Sequence, residues 1–393
     1  MYTAPIKEIK FLLKDLFQIE KLFKDTKYES LDEDTLDGIL DEVRKLSEKL
    51  ISPINRDADT KPAFLKNKKV ILPESFNEAY KSIAEGGWVG ISGDVKYGGL
   101  GLPLIVTTCV NELLSSACLS LALNPLMTQG QIDALESHAN EDIKKIFLPK
   151  LNSGEWSGTM NLTEPQAGSD VGALRTLALK DNDGTYRITG QKIYISWGDH
   201  SLSSNICHLL LARLPNSPKG TKGISLFLVP KYIPDQNGNI NEVNSINTIS
   251  LEHKMGLHGS PTAVLEYKNA KAWLIGEENK GMMAMFTMMN NARLGVAVQG
   301  LSQSELATQK AIEFAKTRHQ GRNMNNSEEI STPIINHADV RRNLLIMKSL
   351  TYISRALCFE TALTIDLSKN KNDPFLKRKA SFLTPIAKSF CTE

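Results

Sequence analysis

Residues Met160 to Leu174, MNLTEPQAGSDVGAL, bring together a hydroxyl pair (Thr163, Ser169), two acids (Glu164, Asp170) and two glycines (Gly168, Gly172). The mixture is too polar, and too often broken by glycine, to be core. It reads as a loop between strands. Backbone N–H groups, hydroxyls and flexible glycines in one loop suit a ligand that is polar, flat or phosphorylated. Trp156, Ser157 and Gly158 lead into the loop. An apolar alternation, Ile188, Gly190, Ile193 and Ile195, follows it and ends at Ser196 and Trp197.

Other chemistry finds less support. The five cysteines (Cys109, Cys118, Cys207, Cys358, Cys391) are widely spaced, odd in number and without a CxxC pair. Buried free thiols in a reducing compartment are expected. The seven histidines show no HExxH or other ligand spacing, so no metal site is expected. Gly86 to Pro103 holds seven glycines in eighteen residues. Its G-x-G pieces lack the preceding apolar strand and the βαβ unit of a dinucleotide fold, and read as a loop. Met282, Met283, Met285, Met288 and Met289 read as plastic core. A net charge of +2 argues against a nucleic-acid partner. No apolar run approaches the roughly 20 residues of a membrane span. Lys7, Glu8 and Lys10 sit in an amphipathic helix pattern with no signal-peptide core. A cytoplasmic protein with no transmembrane segment follows.

The elements around the loop change type twice. Ile6 to about Phe23 carries apolar residues at helical period. Ser30-x-x-Glu33 reads as a capping box for a helix with Leu36, Ile39, Leu40, Val43 and Leu46 on one face. Residues 57–73 read as a polar surface connection, and Pro73-Glu74 opens a helix with Phe76, Tyr80 and Ile83 inward. An apolar helix is expected over 104–123 and another over 127–151. From 157 to 275 the pattern alternates, with strands near 174–180, 185–195, 207–213, 223–229, 246–252 and 262–267. One long helix from Met282 to Thr317 follows, a polar break at 321–332, then helices over 335–369 and 373–392. The fold class is α+β multidomain: an N-terminal helical domain (1–156), a middle antiparallel β-barrel or sandwich (157–275) and an incomplete C-terminal helical bundle (276–393).

The stretch MNLTEPQAGSD resembles the flavin-contacting signature of acyl-CoA dehydrogenases, and the α–β–α order is theirs too. EHKMGLHGSPTAVLEY (Glu252 to Tyr267) and MMNNARLGVAVQGL (Met288 to Leu301) resemble a branch of longer members. The resemblance runs from residue 2 to the last residue. It implies FAD as cofactor, an acyl-CoA thioester as substrate and oxidation to the 2,3-enoyl-CoA. It implies that Met160, Leu162 and Thr163 contact the isoalloxazine ring. Gly168 and Ser169 fall where the family contacts flavin phosphate and the pantetheine arm. Tyr194 and Ser196, in KIYIS, match positions that cover the flavin. Arg318, with Gln320 and Gly321 after it, matches an arginine that reaches the flavin pyrophosphate of a neighbouring subunit, which implies a homodimer or homotetramer. Arg293 matches an arginine near the acyl-CoA. Tyr97, Gly98 and Gly99 match the loop lining the acyl end of the pocket. Electron-transfer flavoprotein is the electron acceptor that the resemblance implies.

The sequence departs from the family in one respect. The usual catalytic glutamate lies in a late Y-E-G-T type motif after a Gly-rich H-G-G or F-G-G segment, and neither occurs here. Some relatives place it beside the helix arginine, where this chain has Ala292. TPIAKSFCTE resembles the helix just before the Gly-rich segment. The base is therefore expected beyond Glu393, and this chain is expected to be C-terminally truncated, with little or no activity. An exposed apolar stripe at Leu344, Leu345, Met347, Ile353 and Leu357 is expected with it, and poor solubility. Three other readings stay open: a flavin- or acyl-CoA-binding remnant without chemistry, an acyl-CoA oxidase or nitroalkane-oxidase type that passes electrons to oxygen, and a helical scaffold with no ligand.

Overall fold

A computed structural model of the chain describes residues 2–322, 331–371 and 373–393. The helices among them are α1 (Ile6–Lys10), α2 (Ile19–Phe23), α3 (Glu33–Leu46), α4 (Asn55–Thr60), α5 (Phe76–Glu85), α6 (Leu104–His138), α7 (Glu141–Asn152), α8 (Gly281–Thr317), α9 (Ala338–Lys371) and α10 (Pro374–Thr392). The strands are β1 (Phe64–Lys66), β2 (Lys69–Ile71), β3 (Trp156–Asn161), β4 (Leu177–Lys180), β5 (Tyr186–Ser196), β6 (Asn205–Arg213), β7 (Ile224–Pro230), β8 (Tyr232–Pro234), β9 (Ile240–Val243), β10 (Ile246–Leu251) and β11 (Thr262–Ile275). Helices, then strands, then helices is the expected order. Of the polar stretch at 321–332, residues 323–330 lie outside the described residues.

Several boundaries differ from those the periodicity predicts, each for a local reason. The first helix is broken: a π-helical turn over Phe11–Leu16 ends at Gln18, whose φ of 49° stops the helix before α2. The cap of α3 is Asp32, not Ser30, and its carboxylate accepts the Thr35 N–H at 2.8 Å. The connection at 57–73 contains the β1–β2 hairpin, turned by Asn67 and Lys68 at φ 50° and 62°. The segment α6 runs through Pro125 to His138 and breaks instead at Cys118, whose φ of −156° and ψ of 94° are not helical. Its flanks, among them Leu121, Ala122 and Leu126, are buried, and that burial outweighs the cost of the proline. An apolar stretch of α6 is long enough to cross a membrane, and 89% of it is buried within the protein.

Compact packing groups the chain into two units that interleave along the sequence. One comprises Met1–Pro53, Pro103–Leu119 and Arg293–Glu393, the other Ile54–Leu102 and Ser120–Ala292. The second is built on a 7-stranded sheet. Its pairings close a ring, β11–β5–β4–β6–β7 and back to β11, with β10 on β11 and β3 on β6. This is the small barrel the alternation predicts, with two parallel pairings in place of a wholly antiparallel sheet: β3 lies parallel to β6, and β4 meets β6 in parallel at Leu177 and Arg213. A parallel neighbour needs a long connection, and between β3 and β6 it contains the loop, β4 and β5. Inside the ring are Ile188, Ile195, Leu210, Phe227, Leu265 and Tyr267. On its outer face Trp156, Leu209 and Leu228 pack against Leu135 of α6, Phe147 of α7 and Met285 and Met288 of α8. β6 is buried on both faces, which is why it reads as a nearly continuous apolar run interrupted by His208.

The other unit is helical and is tied by one buried cation. The Arg355 guanidinium on α9 donates to Glu112 of α6 at 2.8 Å, Glu8 of α1 at 2.8 Å and Glu305 of α8 at 2.7 Å. Burial lifts the Glu112 carboxyl above its usual range although Arg355 lies against it. Burial pushes Glu305 the same way, but there Arg355 prevails and holds it below. Asp366 of α9, also buried, accepts the Leu104 and Ile105 N–H groups at 2.8 and 2.9 Å and so caps α6. Leu345, Ile346, Leu350 and Ile353 of α9 are exposed, whereas Leu344, Met347 and Leu357 are half-buried.

Removing the shared cation leaves three carboxylates with only Lys348, paired with Glu8 and Glu305, to balance them, and none for the buried Glu112. Arg355→Met is expected to lower stability by about 3–5 kcal/mol in urea unfolding. A loss under about 1 kcal/mol would show that the acids are neutral or solvated there.

Candidate functional site

β3 carries the chain out of the sheet at Asn161 and the 162–176 loop follows. The loop is folded around one carboxylate. Glu164 and Ala167 exchange backbone hydrogen bonds at 3.0 Å. Glu164 Oε2 accepts the Arg175 N–H and the Gln166 Nε2–H, both at 2.7 Å. Glu164 Oε1 accepts the Thr176 N–H (3.1 Å), the Thr176 hydroxyl (2.6 Å) and Lys192 Nζ (2.8 Å). Lys192 also donates to the Leu162 carbonyl at 2.9 Å. Burial pushes Glu164 up, but Lys192 and these donors outweigh it and hold the carboxyl at about 2. Burial pulls Lys192 down to about 8, against the attraction of Glu164. The pair is ionised at neutral pH.

The loop runs beside the end of β5, where Ile193 N–H donates to the Thr163 carbonyl at 2.9 Å. The β5–β11 register shifts there: Ile195 pairs with Ala263 and Lys192 with Leu265. Two residues of β5, Ile193 and Tyr194, thus face Val264 alone, which is a β-bulge. Tyr194 takes φ 60° and Trp197 φ 56°. A left-handed backbone is unusual for an aromatic residue, and such strain gathers at binding sites. It turns Tyr194 outward, 60% exposed, while Trp197 is buried.

The structure brings most of the sequence-predicted site residues onto this ledge. Met160, Leu162, Thr163 and Ser196 are half-buried, and Gly168 and Ser169 are exposed. A Cβ on Gly168 would meet nothing within 4 Å, so a ligand can approach its backbone. An exposed aromatic ring, a hydroxyl pair and an open glycine beside it fit a flat, phosphorylated group such as FAD. Tyr97 is buried, and its hydroxyl donates to Glu141 at 2.9 Å. Gly98 takes φ 80°, and a Cβ on Gly99 would fall 2.2 Å from the Gly93 carbonyl carbon. Three predicted residues belong to the helical unit. Arg293 is half-buried on α8. Arg318 and Gln320 share a side-chain hydrogen bond of 3.3 Å beyond the end of α8. His337 Nε2 lies 2.7 Å from the Gln320 carbonyl.

A buried polar layer behind β3 went unseen in the sequence. Ser157 Oγ lies 2.9 Å from His200 Nε2, and Thr159 Oγ1 lies 2.7 Å from His208 Nδ1. Asn161 donates to the Tyr267 hydroxyl at 2.6 Å. Asp199 accepts Lys231 Nζ at 2.6 Å and the Thr248 hydroxyl at 2.7 Å. Glu277 pairs with Lys280 on the surface. No group of histidine, cysteine and acidic side chains among the described residues is placed to hold a metal.

Comparison with known proteins gives the family. Residues 33–155 match the N-terminal domain of acyl-CoA dehydrogenases, and residues 159–270 match the middle domain. A 3-methylmercaptopropionyl-CoA dehydrogenase of Ruegeria pomeroyi is 42% identical over 395 residues, covering 100% of this chain and 67% of that relative. The chain belongs to the acyl-CoA dehydrogenase family, whose members are FAD-binding oxidoreductases. It spans 66%, 62% and 61% of the length of three further curated relatives. Its fold is that of butyryl-CoA dehydrogenase from Megasphaera elsdenii (TM-score 0.72, 24% identity, covering 91% of this chain and 85% of that one). An acyl-CoA dehydrogenase from Bacillus anthracis complexed with FAD has the same fold (TM-score 0.71, 21% identity, covering 92% and 56%).

The buried histidines set an acid limit. Burial, with Lys231 nearby, pushes His200 and His208 from 6.5 to about 3. Between those values the unfolded chain binds protons that the folded chain refuses. Their contribution is therefore complete above about pH 6.5 and is lost toward pH 3, at up to roughly 1–3 kcal/mol per pH unit for the two together. Glu164 adds a further loss as pH falls from 4.5 toward about 2. A melting temperature unchanged from about pH 7 to about pH 5 would contradict this.

Proposed function

We propose that the 160–169 loop and the Tyr194–Ser196 end of β5 hold FAD, and that the protein is a FAD-dependent acyl-CoA dehydrogenase. The reaction removes an α-proton and a β-hydride from an acyl-CoA thioester and gives the 2,3-enoyl-CoA. The observation that carries the reading is the bulge at Ile193 and Tyr194, which presents an exposed aromatic ring in strained backbone beside Thr163.

FAD, when bound, supplies the hydride acceptor. In this reading Met160, Leu162 and Thr163 present backbone groups and a hydroxyl to its ring. Tyr194 and Ser196 cover the flavin, and Tyr194 keeps water from it. Gly168 and Ser169 serve the phosphates and the pantetheine arm, and Tyr97, Gly98 and Gly99 shape the acyl end. Arg293 steadies the acyl-CoA. Arg318, with Gln320 beside it, reaches the pyrophosphate of a second subunit's FAD in a homodimer or homotetramer, a role that suits a planar guanidinium. Electron-transfer flavoprotein is the proposed electron acceptor. Neither Glu164 nor Asp199 is assigned the α-proton, because each is already paired with a lysine.

The test is the visible spectrum of the purified protein. FAD is expected to remain bound through gel filtration, and anaerobic addition of acyl-CoA is expected to perturb its absorption band by binding, with little or no enoyl-CoA formed, because no carboxylate here is assigned the α-proton. Failure to retain FAD would overturn the reading. Hydrogen peroxide released in air in step with product would replace it with the oxidase.

A further inference from the structure

The Lys192 side chain is 0% exposed and that of Glu164 3%, with Nζ and Oε1 2.8 Å apart. Lys192 stands in the inward phase of β5 with Tyr186 and Ile188, where an apolar residue would pack at no electrostatic cost. Instead the pair ties three separate points of the chain. Lys192 holds the Leu162 carbonyl at the start of the loop. Glu164 holds the Arg175 and Thr176 N–H groups at its end. Lys192 is itself the residue before the bulge that turns Tyr194 out.

We infer that Lys192 and Glu164 are positioning residues that fix the 162–176 loop and the Tyr194 bulge before any ligand arrives, so that FAD affinity depends on this ion pair. The inference rests on the reading of the loop as the FAD site. A loop ordered in advance loses little conformational freedom when FAD binds, which favours affinity. A neutral substitute of the same shape fills the space but offers a weaker acceptor to the Arg175 and Thr176 donors. The role differs from that of a ligand contact, because neither side chain is exposed.

Hydrogen exchange of the FAD-free protein and FAD titration, followed by flavin fluorescence and visible circular dichroism, test it in Lys192→Met, Glu164→Gln and the double variant. Amide protection at Arg175, Thr176 and Ile193 is expected to fall by about tenfold or more in each single variant, and FAD binding to weaken by a similar factor. The double variant has no unpaired charge. It is expected to regain the melting temperature lost in Lys192→Met, while affinity and the flavin dichroism stay altered. Glu164→Gln carries the test if Lys192→Met does not fold. Recovery of affinity together with stability in the double variant would reduce the pair to a structural role and overturn the inference, as would loop amides indifferent to the pair. A wild-type chain that takes up no FAD, while its loop amides still depend on the pair, would overturn the reading of the site instead.

Discussion

A carboxylate taken out of water must find its solvation in the protein, and the loop at the centre of this molecule is shaped by that requirement. Glu164 is buried, so its oxygens draw in donors from Gln166, Arg175, Thr176 and Lys192. The backbone has to bend to supply them. The turn that results leaves Gly168 and Ser169 on the surface and brings Thr163 beside β5. The bulge next to it does the complementary work on the strand, exposing Tyr194 and burying Trp197. An ordinary alternating strand would have put neither side chain there.

The same physics recurs in the helical unit with a different outcome. Arg355 satisfies acids from three other helices, and its planar fork makes one charge serve three partners. The pull of burial against pairing is resolved differently at each acid: Glu112 is raised and Glu305 lowered. In the barrel unit the polar layer of Ser157, Thr159 and Asn161 reaches neutral histidines and a tyrosine, so burial is met by hydrogen bonds rather than by charge.

Much of the fold was legible in the sequence because long apolar periods decide it. The stripe of α3, the long α8 and the near-continuous apolar β6 all follow from spacing. Short and charged elements were not. The β1–β2 hairpin hides in a lysine-rich stretch whose signal is the two-residue Asn67-Lys68 turn. The parallel seating of β3 on β6 depends on contacts about fifty residues apart, beyond the reach of local pattern. Within the site, the loop was read from residue types and Tyr194 from the resemblance of KIYIS to the family, whereas Lys192 was not singled out. The available signal was its phase: it stands inward, two residues along from Gly190 and four from Ile188. His200 and His208 gave no spacing to follow, because their partners are serine and threonine hydroxyls on another strand.

The central claim is that one flat, phosphorylated ligand lies on the ledge made by the loop and the end of β5. Hydrogen exchange of the protein with and without FAD tests it most directly. The account predicts that FAD slows exchange at the backbone amides of residues 162–169 and 194–196 and leaves those of β9 unchanged. Slowing confined to other segments, or none at saturating FAD, would contradict it.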